Sequence, residues 1–219
     1  KYLIAFPIKG YSNTLSGFVI TPIKGKTAPK VMTSANALIK VMINNNPSCF
    51  FLFLLKRLHS LYKRLEILSL RILTEYSIKR HFSEIIGKED MILEFLNKVQ
   101  ELSIRLVCKW MSIGFIHGVM NTDNSTISGE TIDYGPCAFM DFFDPNKVFS
   151  FIDQGGRYSY INQGKIMFWN ISKFAETLVP LIDSNNKKAI KKVLNILEKY
   201  PDYFQKSWNE IMKRKIGLK

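Results

Sequence analysis

Three side chains close together in the sequence could do chemistry. They are Asp123 and Asn124, at the end of His117-Gly-Val-Met-Asn-Thr-Asp-Asn124, and Asp133, at the head of Asp133-Tyr-Gly135 nine residues later. Two carboxylates and an amide oxygen are hard ligands. They suit Mg²⁺, which keeps several waters and shares its shell with substrate phosphates. They do not suit zinc, and His117 alone is no zinc site. Taken one at a time, each residue reads more readily as part of a polar turn or as the cap of a strand end than as a ligand. Convergence therefore depends on what lies between them. Ser125-Thr-Ile127 and Glu130-Thr-Ile132, around Ser128-Gly129, predict two short strands about a tight turn. Such a hairpin would return Asp133 to the place where it began. His117 reads as a hydrogen-bonded structural residue rather than a base.

The surrounding elements are mostly helical. Residues 67–81 read as a helix. Residues 90–113 read as a long amphipathic one, with Leu93, Leu96, Val99, Leu102, Leu106, Val107, Trp110 and Ile113 at three- and four-residue steps. Gly114 is a suitable helix stop. Asp144-Pro145 can open a short helix, and 163–182, 186–199 and 202–215 read as three more. Trp110 and Trp169 are expected in the core. Arg157 could touch phosphate or pair with an acid. Residues 1–65 are less ordered in pattern: short strands at 14–21 and 30–33, a short helix at 35–43, a turn at 44–47. The apolar run from Cys49 to Leu55 fits either a buried strand or part of a helix.

The chain has 219 residues, 47% hydrophobic and 22% charged, a globular mix. Its net charge of +13 is uneven. Residues 1–65 hold ten Lys or Arg and no acid, whereas the remainder carries only +3. A uniformly basic protein would suggest nucleic acid or an anionic membrane. This excess sits at one end and lacks an ordered Arg and aromatic pattern, so neither partner is expected. No apolar run approaches the roughly 18–20 residues that span a bilayer. Cys49, Cys108 and Cys137 are odd in number and widely separated. A disulfide framework is not expected, and a reducing cytoplasm is the default.

The His-Gly loop with Asn124, followed by Ile132-Asp-Tyr-Gly135, resembles the catalytic core of the protein-kinase-like fold. In that fold one loop supplies a base Asp and a metal-binding Asn, and an Asp-x-Gly holds a second metal position. The usual base position is Val119 here, and Asp123 stands beside the Asn instead. With this departure the segment resembles the selenoprotein O family, kinase-like protein adenylyltransferases. The likeness continues through Ala138-Phe-Met-Asp141, Asp153, Gly156-Arg-Tyr158, Tyr160, Asn162-Gln163, Trp169-Asn170 and Ala175-Glu-Thr-Leu178. It covers about residues 62–218.

The resemblance implies an α+β, kinase-like fold: a mostly helical C-terminal lobe over 62–219 with a small β-hairpin at the active site. It implies transfer of AMP from ATP to Ser, Thr or Tyr hydroxyls of proteins. Asp123 then matches the proton acceptor, Asn124 and Asp133 the Mg²⁺ ligands, and Asp133 also sits at the nucleotide. The family's Gly-rich phosphate loop, ATP-contacting Lys with its Glu partner, and two Arg residues are not found upstream. Lys24-Gly25-Lys26 only faintly resembles its Lys-Gly-Ala-Gly stretch, and Arg57 is out of place. Residues 1–61 therefore read as a remnant or unassigned basic segment, and the N-terminal lobe as incomplete. Activity is expected to be impaired by truncation. The alternative is an inactive pseudoenzyme or a partner-binding fragment. Oligomeric state is left open.

Overall fold

The computed structural model describes residues 49–218, with side chains described from Leu61 onward. The strands expected at 14–21 and 30–33, the helix at 35–43 and the turn at 44–47 lie outside the described residues. Among the described residues the order is helix α1 (Cys49–His81), α2 (Met91–Ser112), strand β1 (Phe115–Ile116), β2 (Ala138–Phe139), then α3 (Gln163–Ile182), α4 (Asn186–Leu197) and α5 (Tyr200–Lys215). Short 3₁₀ turns stand at Ser83–Ile85, Thr122–Asn124 and Tyr160–Asn162. The architecture is mostly helical with one two-stranded antiparallel sheet. No described helix is long and apolar enough to cross a membrane.

The chain divides into two compact units, and α1 belongs to one through Tyr76 and to the other from Ser77. The run from Cys49 to Leu55 is helical, and α1 begins eighteen residues before the expected 67. Its apolar residues recur all round the helix, so periodicity gave no start signal. Lys79 and Arg80 stand in its last turn, where cations are favourable.

In the second unit α2 is the hub, packing against α3, α4 and α5. Its buried apolar face is Ile92, Phe95, Leu96, Val99, Ile104, Val107, Cys108, Trp110 and Met111. Of the residues expected there Leu96, Val99, Val107 and Trp110 are buried, Leu93, Leu102 and Leu106 are half-buried, and Ile113 is exposed just past the helix end. Phe82, Phe95 and Phe174 stack edge to face at 5.4 and 5.5 Å. Gly164 lets the Phe204 ring approach α3; a Cβ there would lie 3.0 Å from the ring. Asn185 caps α4, its side chain accepting from the Lys187 and Lys188 amides at 3.0 and 3.3 Å. Burial pushes the Cys108 thiol up to about 12, against a smaller lowering by Ser207. Burial likewise pushes the Tyr160 phenol up to about 12, and its hydroxyl donates to the Met111 carbonyl at 2.7 Å.

Two expected elements are replaced. The hairpin of 125–127 and 130–132 is not a strand pair. The Thr126 hydroxyl donates to the Glu130 carbonyl at 2.8 Å and accepts the Glu130 amide at 2.9 Å. A side chain thus takes both groups that a backbone ladder would have used. The strands stand outside this finger, with Phe115 opposite Phe139 and Ile116 opposite Ala138. At Asp144-Pro145 there is a turn instead of a helix. The Asp144 carboxylate takes the Asn146 amide at 2.9 Å, and its carbonyl takes the Lys147 amide at 3.2 Å.

Candidate functional site

The segment 117–137 leaves the core from β1 and returns through β2, which pairs antiparallel with β1, so its two ends are pinned together by the sheet. Gly114, at φ +73°, turns the chain out of α2 into β1, and its carbonyl receives the Met140 amide at 2.9 Å. Within the segment the outgoing and returning stretches are tied again. The His117 ring is fully buried, and its Nε2 lies 2.7 Å from the Ile132 carbonyl oxygen. A carbonyl only accepts, so Nε2 carries the proton and Nδ1 is left to accept the Val119 amide at 3.4 Å. Both ring nitrogens are engaged, which is the structural role expected of His117. Trp110, tilted against the His117 ring with centroids 5.3 Å apart, donates its indole N–H to Thr131 Oγ1 at 2.9 Å. Gly129, at φ +72°, lays the finger tip on α2, where a Cβ would fall 2.8 Å from Leu102 Cβ. Only glycine fits.

These ties attach residues next to the expected ones to one short stretch: Ile132, which precedes Asp133, to His117, and Asn124, which follows Asp123, to Val119. Asn124 Nδ2 donates to the Val119 carbonyl at 2.8 Å, which leaves Asn124 Oδ1 available as a ligand. Asp133 follows directly on the Ile132 that His117 holds. Its φ of +55° is the only left-handed backbone angle at a described residue other than glycine. Asp tolerates that region better than most residues, at a modest cost. Its Oδ1 lies over Gly135, 3.6 Å from where a Cβ would be. Asp123, on the 3₁₀ turn, and Asp133 are both exposed. Neither carboxylate has a hydrogen-bond or ion-pair partner among the described residues. No group of three or more His, Cys, Asp or Glu able to hold a metal occurs among the described residues. The donor set here is smaller and all oxygen: two carboxylates and one amide. That chemistry fits a hard divalent cation whose shell is completed by water and phosphate.

Residues far along the chain hold the loop in place. The Gln163 side chain at the start of α3 accepts the His117 amide at 3.1 Å and donates to the Phe115 carbonyl at 3.0 Å. Seven residues on, on the same face of α3, Asn170 Nδ2 reaches the Met120 carbonyl at 3.1 Å and Ser125 Oγ at 2.8 Å. Asn170 Oδ1 is one of two buried side-chain polar atoms without a partner among the described residues. Sequence reasoning did not assign these roles. The available signal was a pair of amide side chains one heptad apart, interleaved with Ile166, Met167 and Ile171 on α3. Arg157 pairs with no acid among the described residues. Its guanidinium lies over the Trp169 ring at 4.8 Å and over Tyr158 at 5.6 Å. Trp169, expected in the core, is 37% exposed as the platform for that cation.

Comparison with known proteins gives a consistent picture. The family described as protein adenylyltransferase SelO matches residues 33–219. The protein nucleotidyltransferase YdiU of Pelagibacter ubique is 51% identical over 152 residues, 69% of this chain and 32% of that protein. YdiU of Nitrosococcus oceani is 49% identical over 149 residues, 68% of this chain and 30% of its own. YdiU of Clostridium botulinum (strain Eklund 17B) is 50% identical over the same length, with the same shares. The chain spans about a third of the length of the curated relatives it matches.

Proposed function

The chain belongs to the protein adenylyltransferase SelO family, and from that membership we propose that it transfers AMP from ATP to a Ser, Thr or Tyr hydroxyl of a protein acceptor. In this reading residues 62–219 form the helical lobe of a kinase-like fold, with the site on the segment between β1 and β2. Residues 1–61 are read as a remnant or unassigned basic segment. The acceptor oxygen attacks the α-phosphorus of ATP, the bond to the β-phosphate oxygen breaks, and pyrophosphate leaves. The hydroxyl proton passes to the Asp123 carboxylate, which is exposed and has no internal partner among the described residues. A positioned base of this kind contributes roughly 10²–10⁴-fold. Asn124 Oδ1 and the Asp133 carboxylate would hold Mg²⁺, and Asp133 would also face the nucleotide. The ion, when bound, offsets negative charge on the phosphates. Cys108 and Cys137, widely spaced, are both free, which suits a cytoplasmic setting.

One observation carries the reading: the 2.7 Å tie from His117 to Ile132 and the 2.8 Å tie from Asn124 to Val119 draw both arms to a single stretch. The test is parallel incubation with α-³²P and γ-³²P ATP, Mg²⁺ and a hydroxyl-rich protein acceptor. Label from the α position alone is expected. Label from the γ position would make the chain a kinase. Label from neither would contradict transfer chemistry and favour a partner-binding role.

A further inference from the structure

The Asp123 turn has a contact that neither the metal site nor the transfer step uses. The Tyr158 hydroxyl donates to Asn121 Oδ1 at 2.6 Å, across thirty-seven residues of chain. Both ends of this bond are fixed. On the Tyr158 side, the Asp153 carboxylate accepts the Arg157 and Tyr158 amides at 2.8 and 2.7 Å. Gly156, at φ +66°, makes the turn between them. Asn162 Nδ2 and the Ser159 amide hold the Gly156 carbonyl at 2.8 and 3.1 Å. On the other side, the Asn121 carbonyl accepts the Asn124 amide at 3.1 Å and Ser125 Oγ at 3.2 Å, closing the turn that carries Asp123.

We propose that Tyr158 is a positioning residue for AMP transfer: its hydroxyl fixes Asn121 and thereby the orientation of the Asp123–Asn124 turn. The proposal rests on the function reading above and adds to it a residue outside the proposed site. The bond is exposed, so its net contribution to stability is small. A small displacement of a reacting group is far more costly, on the order of 10²-fold per ångström. Positioning and mere stability therefore predict different outcomes.

The experiment uses the whole 219-residue chain with Tyr158→Phe, Asn121→Ala and the double variant. Tyr158→Phe keeps the ring beneath Arg157 and removes only the hydroxyl. Expected are a fall in kcat of about tenfold with the KM for ATP within about twofold, and an unchanged thermal midpoint. Amide exchange at Asn124 should rise about three- to tenfold. The double variant should be no worse than Asn121→Ala alone, as for two partners of one bond. Unchanged kcat in Tyr158→Phe, additive losses, or exchange that rises equally throughout the chain would overturn the proposal. If the wild-type chain places no α-label on protein, the function reading fails on its own. Exchange at Asn124 then still decides the Tyr158–Asn121 link, and no local acceleration would overturn it.

Discussion

Asn124 and Asp133 reach the candidate site on segments held in opposite ways. The outgoing stretch, 117–125, is tied by Gln163, Asn170, Tyr158 and its own 3₁₀ turn, with partners thirty-seven to fifty residues away. The returning stretch, 130–135, is tied locally at Thr126 and then at Trp110 and His117, and beyond those ties its backbone turns left-handed at an exposed acid. The difference suits a division of labour. A proton acceptor must be oriented, and orientation comes from a dense network of buried amides. Asp133, as the proposed ligand to metal and nucleotide, can be completed by what it binds, so its arm tolerates a mildly strained backbone, whereas Asn124, the other proposed metal ligand, shares the orientation of the Asp123 arm.

The comparison can be broken most severely at the well-held arm. Asp123→Asn should lower AMP transfer by roughly 10²–10⁴-fold while leaving the melting midpoint in place, because the side chain is exposed and makes no internal bond. Radiolabel transfer and a thermal melt on the same sample check both halves. Asn170→Ala should come next, since it strips partners from the Met120 carbonyl and Ser125 hydroxyl in a buried setting. A loss of about 1–3 kcal/mol is expected in urea unfolding. On the lightly held arm Thr131→Val removes only the acceptor of the Trp110 indole, and about 0.5–1.5 kcal/mol is expected by the same measurement. If the two substitutions cost the same, the contrast between the arms fails.

The mildest effect is alkaline. The Cys108 thiol and Tyr160 phenol are both held protonated by burial, each pushed up to about 12. Unfolding lets them ionise at their ordinary values, near 9 and 10. The unfolded chain then binds fewer protons than the folded one, so stability falls as pH rises. Their contribution is complete below pH 9 and is lost progressively toward 12. The urea midpoint should drop across that window, and Cys108→Ala should flatten its lower part.

What could be read from the residues alone follows from the range of the forces involved. The helices of the second unit were legible because burial of one face leaves a 3.6-residue signature, as in α2. The finger was misread because Thr126, a good strand former, spends its hydroxyl on Glu130 in place of a ladder. Strands β1 and β2 are two residues each, too short for alternation to show. Asp123, Asn124 and Asp133 were legible as a motif. Gln163, Asn170 and Tyr158 were not assigned as its supports, because their partners are set by tertiary packing rather than by local spacing.

The account turns on convergence of the two arms. Manganese titrated into the isotopically labelled chain reads it directly, because a bound paramagnetic ion broadens every amide close to it. Broadening of residues 123–124 and 133–135 together, at the same ion concentration and abolished by Asp133→Asn, is the predicted result. Broadening restricted to one arm, or arms that respond at separate concentrations, would contradict a shared site.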